Sequence, residues 1–341
     1  MNSSTLKSNG LSGLSNLGNT CFINSCLQVL SHTPDLNSFL DNGEYKHKQK
    51  KICDSLLLSA WDDLRKLLWH KNCIISPNKF INILQQTSKF KNNDLFTGYA
   101  QNDLSEFLIF LIDCFHNSLS REIKMSISGH VENDTDKMAL KCYEMIKNMY
   151  SKDYSEIWNL FYAIQMTELT SMDNKLLSMI PEPFFILSLP IPDIKNPSLI
   201  DCFNKYTENE LMENENAWHN EETKCTESVV KRIKFWSLPK ILIIDLKRYN
   251  NSNRKIQQLV QFPLENLDLS PYVNGYKKNE YKYDLYGVCN HSGSVQGGHY
   301  TSFVKHANNN WYHFNDNVVS KIEKIESVIS VKAYCLFYRK V

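Results

Sequence analysis

The chain has 341 residues, 42% of them hydrophobic, and its 38 Lys and Arg residues nearly balance its 37 Asp and Glu residues. This length and apolar content predict a buried core in one large domain or two modest ones. No run of basic residues stands out, so we expect no nucleic-acid partner. No apolar run approaches the roughly 18 residues of a membrane span, and the polar N-terminus lacks a targeting pattern, so we expect an intracellular protein without a membrane segment.

The order of elements along the chain indicates an α+β fold. Apolar residues recur at helical spacing after Cys21, across 56–68 and across 104–115. The charged segment 128–136 predicts an exposed loop. After Phe184, short apolar runs between Pro, Asn and Gly predict strands at 185–189, 241–246, 283–288, 300–304, 311–314 and 334–338. Helices followed by strands suggest a first helix packed on a C-terminal antiparallel sheet.

Ten cysteines are scattered along the chain without a CxxC pair, and most are expected to be reduced and buried. Cys21 differs from the others because it ends a small polar loop and begins a helical pattern, where Asn19 or Thr20 can cap the first turn. Its sulfur then lies near unpaired backbone N–H groups and the positive end of the helix dipole, which favour the nucleophilic thiolate. Considered alone, a buried structural cysteine is the alternative.

A second dense pattern supplies a base for such a nucleophile. The paired glycines Gly297 and Gly298 lead directly into His299, which begins a predicted strand. Glycine lets another backbone pass close by, so a His at that point suits a general base beside an extended bound peptide. Sixteen residues later, Asn315 and Asp316 end a strand, and either is expected to accept the Nδ1–H of His299 and orient the ring.

Several motifs together resemble the ubiquitin-specific protease family of cysteine deubiquitinases, whose catalytic domain is papain-like. GLSNLGNTCFINSCLQVL (13–30) is similar to the family's Cys box, and GGHYTSFVK (297–305) with WYHFNDNVV (311–319) is similar to its His box. The remaining motifs follow in the family's order: QNDLSEFL (101–108), EPFFILSLPIP (182–192), SLPKILIIDLKRY (237–249), FPLENLDLSPYV (262–273) and AYCLFYRKV (333–341). The resemblance covers essentially the whole chain.

The resemblance implies one catalytic domain, 1–341, with the α+β fold of a papain-like cysteine protease. Its helical thumb would span about 1–160, its fingers and palm strands about 161–240, and its palm with the His box about 241–341. The implied reaction is hydrolysis of the peptide or isopeptide bond after the C-terminal glycine of ubiquitin, through an acyl-enzyme on Cys21 and without a cofactor. The implied partners of a monomeric enzyme are ubiquitin and ubiquitinated proteins, in the cytoplasm, the nucleus or both.

The resemblance also assigns roles to single residues. Cys21 would be the nucleophile and His299 the base, with Asn315 as the third triad member and Asp316 open as its replacement. Asn16 matches the side chain of the family's oxyanion hole. The residues expected to hold the ubiquitin tail are two acids, Asp103 and Glu106, and three residues lining a channel for a Gly-Gly terminus, Gly297, Gly298 and Tyr300. A solvated helix start is the alternative for the two acids.

The chain departs from the family at the fingers, where most relatives bind zinc with two CxxC pairs. The matching positions hold Ser171, Asn174, Asn220 and Thr223, none of which is a good zinc ligand. We therefore expect no structural zinc and fingers held by packing alone.

Three alternatives stay open on the sequence. His291 and His313 are rival bases, although neither follows the glycine pair, so a structural role is expected for both. The chain could be a ubiquitin-binding module whose triad is out of register. It could also be an enzyme that acts on a ubiquitin-like modifier.

Overall fold

The computed structural model describes residues 7–221, 223–250, 252–294 and 297–341. Residues 1–6 of the polar N-terminus, and Val295 and Gln296 before the glycine pair, lie outside the described residues. The helices are α1 (Cys21–Ser31), α2 (Pro34–Asp41), α3 (Tyr45–Lys48), α4 (Cys53–His70), α5 (Asn78–Phe90), α6 (Leu104–Leu119), α7 (Asp134–Tyr150), α8 (Glu156–Phe161) and α9 (Leu199–Tyr206). Across these ranges, no helix is long and apolar enough to cross a membrane.

The strands lie mostly in the second half of the chain. They are β1 (Gly13–Leu14), β2 (Ile74–Ile75), β3 (Ala163–Ser171), β4 (Leu176–Phe184), β5 (Ile186–Pro190), β6 (Glu210–Met212), β7 (Trp218–Asn220), β8 (Cys225–Glu227), β9 (Val229–Phe235), β10 (Ile241–Lys247), β11 (Leu267–Asp268), β12 (Lys282–Ser294), β13 (Gly297–Lys305), β14 (Trp311–Asn315), β15 (Val318–Lys321) and β16 (Ala333–Lys340). The larger sheet has the order β15-β14-β13-β12-β16-β10-β5, with β11 beside β12. Its neighbouring strands are antiparallel except β5 and β10, which run parallel.

The larger sheet is covered on both faces, and strand β10 shows why. Its sequence ILIIDLK is almost continuously apolar, so both sets of alternating side chains need a core. Ile241 and Ile243 face the core shared with the N-terminal helices. Leu242, Ile244 and Leu246 face a second core on the other side. The sheet therefore forms a rigid base for the helices and for the loops at its edge.

Helix α1 lies between the N-terminal helices and this sheet. It packs against α6 on one side and against β12, β13 and β14 on the other. Because it is enclosed on all sides, each residue from Cys21 to Ser31 is buried. Ser25 fixes the helix to β13 by donating its hydroxyl hydrogen to the carbonyl oxygen of Thr301 at 3.0 Å. The expected packing of the first helix on the C-terminal sheet is therefore present.

Two elements differ from the expectations drawn from the sequence. The loop predicted over 128–136 ends early, because α7 begins at Asp134. Asn133 and Asp136 form a reciprocal capping box there, which satisfies free N–H groups of the first turn. Strands also begin before Phe184, since β3 starts at Ala163 and pairs with β4 and β9 in a smaller sheet of order β4-β3-β9-β6.

Candidate active site

Cys21 is the first residue of α1 and opens onto a cleft of about 260 Å³ between the helices and the larger sheet. The side chain is 3% exposed. The walls of this cleft, which we call the tail cleft, include Cys21, Gln101, Asp103, His291, Gly298 and Tyr300. The fold thus brings the Cys box, the QNDLSEFL motif and the His box to one cavity.

Some groups around Cys21 raise the pKa of its thiol and others lower it. Burial is the largest effect and raises the pKa of the Cys21 thiol, and the negative charge of Asp316 raises it further. The backbone N–H groups of Tyr300, Phe22 and Cys21 itself lower the pKa. The helix N-terminus therefore acts in the predicted direction, but burial outweighs it, and the thiol is the favoured form in the free protein.

The turn before α1 differs from the predicted cap. Thr20 occupies the N-cap position, but its side chain makes no capping hydrogen bond. Its hydroxyl oxygen instead accepts from the backbone N–H of Leu17 at 3.0 Å. Asn19 has a φ of +53° and donates from Nδ2 to the carbonyl oxygen of Tyr99, so it does not cap the helix either. Both side chains hold the loop in shape and leave the first N–H groups of α1 facing Cys21.

His299 and Asn315 form a direct pair across β13 and β14. Nε2 of His299 lies 2.7 Å from Oδ1 of Asn315. The carboxamide oxygen can only accept, so Nε2 carries the hydrogen and Nδ1 is the unprotonated nitrogen of the neutral ring. The nitrogen that faces Asn315 is therefore Nε2 and not Nδ1, the one expected from the sequence.

Asp316, the other candidate for the third triad position, has different partners. It has a φ of +51°, and its carboxylate accepts hydrogen bonds from Nδ2 of Asn24 at 2.8 Å and from Nδ2 of Asn16 at 3.0 Å. Asn315 is therefore the residue that the fold pairs with His299. Asp316 instead joins α1 to the loop that precedes it.

Asn16 is exposed, but its amide is fixed at both ends. Oδ1 accepts from the backbone N–H groups of Gly18 at 3.0 Å and Thr20 at 3.2 Å. Nδ2 uses one hydrogen for Asp316. No acceptor for the second hydrogen of Nδ2 is found among the described residues, so it is available to an oxyanion.

The two acids predicted to hold a basic tail occupy different places. Oδ1 of Asp103 caps α6 by accepting from the N–H groups of Ser105 and Glu106. Its Oδ2 accepts from the hydroxyls of Tyr334 at 2.6 Å and Tyr300 at 3.4 Å, within the tail cleft. Glu106 is exposed and lines a separate cavity beside Lys91. The fold therefore brings Asp103, but not Glu106, to the tail cleft.

Gly298 is tightly enclosed in the tail cleft. A Cβ at this position would lie 2.3 Å from Nε2 of His291 and 2.5 Å from the carbonyl oxygen of Ser292. The side chain of Gln101 meets both backbone polar groups of Gly298, accepting from its N–H at 3.0 Å and donating to its carbonyl oxygen at 3.2 Å. At Gly297 a Cβ would meet only the flexible end of Gln101, at 3.0 Å. Gln101 begins the motif at 101–108, but no role was expected for it from the sequence.

His291 lines the same cleft as Cys21, but its ring contacts a cation. Its Nδ1 lies 2.9 Å from Nζ of Lys255, and its carbonyl oxygen also accepts from that ammonium at 2.7 Å. Burial, and then the charge of Lys255, lower the pKa of His291 to about 4. Burial also lowers the pKa of Lys255 to about 8. His313, the other rival, packs edge-on against Phe303. The structural roles expected for both histidines agree with these contacts.

The sequence profile of the family described as "Ubiquitin carboxyl-terminal hydrolase" matches residues 12–338. The chain belongs to this family. Ubiquitin carboxyl-terminal hydrolase 2 of Bos taurus is 33% identical to it over 339 residues, which cover 96% of this chain and 55% of the relative. Ubiquitin carboxyl-terminal hydrolase 5 of Saccharomyces cerevisiae is 31% identical over 371 residues, which cover 100% of this chain and 46% of the relative. The chain therefore spans about half the length of these curated relatives.

Solved structures of the family share the fold. A SAGA DUB module of Ubp8, Sgf11, Sus1 and Sgf73 bound to monoubiquitin gives a TM-score of 0.74 at 26% identity, over 98% of this chain and 70% of that chain. The same module bound to ubiquitin aldehyde gives a TM-score of 0.73. The predicted α+β, papain-like fold and the resemblance to ubiquitin-specific proteases are confirmed.

The residues at the positions where zinc ligands are expected in this family do not fit a zinc ion. Asn220 and Thr223 stand where one CxxC pair is expected, and both donate to Oε1 of Glu227, from Nδ2 and Oγ1 respectively, each at 3.1 Å. At the other pair, Oγ of Ser171 accepts from the backbone N–H of Lys175 at 3.1 Å. Amide and hydroxyl groups that are engaged in this way do not make a zinc site.

Proposed function

We propose that the chain is a thiol-dependent deubiquitinase that hydrolyses peptide and isopeptide bonds after the C-terminal glycine of ubiquitin. The observation that carries the proposal is the 2.7 Å contact between His299 Nε2 and Asn315 Oδ1. It lies on the strands that pack against the helix of Cys21, in the order and spacing of the family's His box. A base with a fixed ring, on a strand that packs against the helix of the thiol, supports acyl transfer through a thioester.

In the proposed reaction, Sγ of Cys21 attacks the carbonyl carbon of the scissile bond while its proton passes to Nδ1 of His299. The oxyanion accepts hydrogen bonds from the backbone N–H of Cys21 and from the second hydrogen of Asn16 Nδ2. Collapse of this intermediate expels the amine, which takes the proton from His299, and leaves ubiquitin as a thioester on Cys21. His299 then deprotonates a water molecule that hydrolyses the thioester and restores the thiol.

The raised pKa of Cys21 determines how the nucleophile is produced. A buried thiol beside the carboxylate of Asp316 does not ionise by itself at neutral pH. The proton must therefore be removed by His299 as attack begins. The Asn315 contact supports this role because it leaves Nδ1 as the nitrogen with a free lone pair.

We further propose that the tail cleft receives the C-terminal tail of ubiquitin. Gly297 and Gly298 place backbone without side chains on the wall of the cleft, where an extended substrate tail could pass close by. Asp103, in the cleft, and Glu106, outside it, would attract the basic residues of the tail. The ring of Tyr300 would line the channel. Its centroid lies 4.6 Å from the centroid of the His291 ring.

The remaining proposals concern cofactors, partners and location. We propose that the enzyme needs no cofactor and that its fingers hold no zinc, supported by the engaged side chains of Asn220 and Thr223. Ubiquitin and ubiquitinated proteins would be its partners and the monomer its working state, within the cytoplasm or nucleus. Residues 1–341 would act as one catalytic domain, since the family match spans 12–338.

Cleavage of a fluorogenic ubiquitin C-terminal amide tests the proposed function, with Cys21→Ala as the matched control. We expect turnover by the unmodified protein, none by the variant, and retained ubiquitin binding by both. Absence of turnover in both, with binding retained, would favour the ubiquitin-binding module. Turnover of a ubiquitin-like modifier, but not of ubiquitin, would reassign the substrate.

A further inference from the structure

Asn24 is a buried polar residue on α1, three residues after Cys21, for which the reaction described above has no use. It is 2% exposed. Its Nδ2 donates to Oδ1 of Asp316 at 2.8 Å and lies 3.4 Å from the carbonyl oxygens of Leu14 and Ser15. Its own Oδ1 has no partner among the described residues. A buried acceptor without a partner is destabilising, so the group that requires an amide here is Nδ2.

Asp316 carries this contact onward to Asn16. Each carboxylate oxygen of Asp316 accepts a different hydrogen bond, Oδ1 from Asn24 and Oδ2 from Asn16. The backbone of Asp316 is held as well, because its carbonyl oxygen accepts from the N–H of Leu14 at 2.9 Å. When the backbone and one carboxylate oxygen of a residue are both held by hydrogen bonds, its side chain can rotate little, and the second oxygen has a nearly fixed position. The position of Oδ2 therefore depends on Asn24.

The direction of the free N–H of Asn16 follows from these contacts. An amide group is planar, and Oδ1 of Asn16 is already bound to backbone N–H groups. Once one hydrogen of Nδ2 is bound to Asp316, the direction of the second hydrogen is determined. We propose that Asn24 is a positioning residue that acts through Asp316 to aim the Asn16 amide at the oxyanion. This inference rests on the oxyanion role in the proposed function.

A double-mutant cycle between Asn24 and Asn16 tests the inference. Removal of one oxyanion donor costs about 10²–10³ in kcat elsewhere, so we expect Asn24→Ala to lower kcat about tenfold with KM nearly unchanged. In an Asn16→Ala background, the same substitution should lower kcat by less than about twofold, because the donor that it aims is gone. An equal loss of kcat in both backgrounds would overturn the inference.

Gln28 provides a matched control on the same helix. It is also a buried amide, 1% exposed, with Nε2 bound to the carbonyl oxygen of Ser12 at 2.8 Å and an oxygen that has no partner in the described residues. Gln28→Ala should lower the thermal midpoint about as much as Asn24→Ala and leave kcat unchanged. A similar loss of kcat in both variants would mean that Asn24 matters only for folding.

An exchange of side chains separates positioning from folding. Asn24→Asp alone places its carboxylate against that of Asp316, and the two repel. Asp316→Asn alone leaves one oxygen at position 316, for which the amides of Asn24 and Asn16 compete. In the double variant the contact is restored with the roles exchanged. The amide at position 316 donates to the carboxylate at position 24, and its oxygen accepts from Nδ2 of Asn16. We expect kcat of the double variant within about threefold of the unmodified enzyme and both single variants at least about tenfold lower. Losses that simply multiply would contradict the inference, whereas an inactive unmodified protein would contradict the proposed function itself.

Discussion

Asn315 and Asp316 are consecutive in the chain, yet their side chains contact different parts of the site. The oxygen of Asn315 lies 2.7 Å from Nε2 of His299 on β13. The carboxylate of Asp316 accepts from Asn24 on α1, at 2.8 Å. One short turn therefore fixes both the ring of the proposed base and the helix of the proposed nucleophile. The turn therefore links the strand of the proposed base to the helix of the proposed nucleophile.

The first prediction separates these neighbouring residues. Asn315→Ala removes the acceptor that orients His299, so we expect kcat to fall at least about a hundredfold, within the range of general acid–base contributions. Asn315→Asp keeps an oxygen at the same place and should retain most of the activity. Turnover of the fluorogenic ubiquitin amide measures both. A small effect of Asn315→Ala would leave the third triad position to another residue.

The second prediction concerns the pH dependence of Cys21. Only the thiolate is alkylated, and the pKa of this thiol is raised above its ordinary value of about 9. Alkylation of the free enzyme by iodoacetamide should therefore increase with pH, with a midpoint above 9. Asp316→Asn removes a negative charge that raises this pKa, so it should move the midpoint to lower pH. Peptide mapping distinguishes Cys21 from the exposed Cys73 and Cys225; a midpoint near neutrality would contradict the expectation.

The third prediction compares two adjacent glycines. A methyl group at Gly298 meets His291 and a backbone carbonyl, so Gly298→Ala should lower kcat/KM about tenfold or more. At Gly297 a methyl meets only the movable end of Gln101, and Gly297→Ala should cost less than about threefold. Steady-state kinetics on ubiquitin substrates decide between them. The reverse order of effects would show that the tail passes elsewhere.

The fourth prediction divides the two tasks of Asp103. Asn caps helices about as well as Asp, so Asp103→Asn should leave the thermal midpoint nearly unchanged while removing the negative charge. We expect KM for ubiquitin substrates to rise about tenfold, as a charged contact is lost. Asp103→Ala should show the same rise together with a loss of about 1 kcal/mol in stability. An unchanged KM in Asp103→Asn would limit Asp103 to the cap.

The fifth prediction concerns the fingers. Metal analysis of the purified protein should find no stoichiometric zinc, and a chelator should leave its thermal midpoint unchanged. Glu227→Ala removes the oxygen to which Asn220 and Thr223 donate, so it should loosen this end of the fingers, seen as faster hydrogen exchange in β7 and β8. About one zinc per chain would refute the argument.

The site residues that could be predicted are those with a recognisable pattern in the few residues beside them. Cys21 and His299 are marked by the loop and the glycine pair beside them, and Asn315 by the end of its strand. Gln101 and Asn24 lie within motifs recognised in the sequence, but their contacts could not be predicted, because their partners are 197 and 292 residues away and meet them only after folding. The raised pKa of Cys21 has the same origin, since its burial depends on strands from the other end of the chain. Helix α7 is a different case, because the Asn133–Asp136 capping signal was present but obscured by the charged composition around it.

Strand β16 (Ala333–Lys340) comes last among the described strands in chain order, but it lies in the interior of the larger sheet, between β12 and β10. During synthesis on the ribosome, the sheet therefore cannot close until residues 333–340 have left the exit tunnel. Until then α1 has no complete surface to cover its apolar side chains, and a nascent chain would need chaperones to avoid aggregation. The proposed activity therefore requires residues 333–340, so translation products truncated before them would carry Cys21 without being able to cleave.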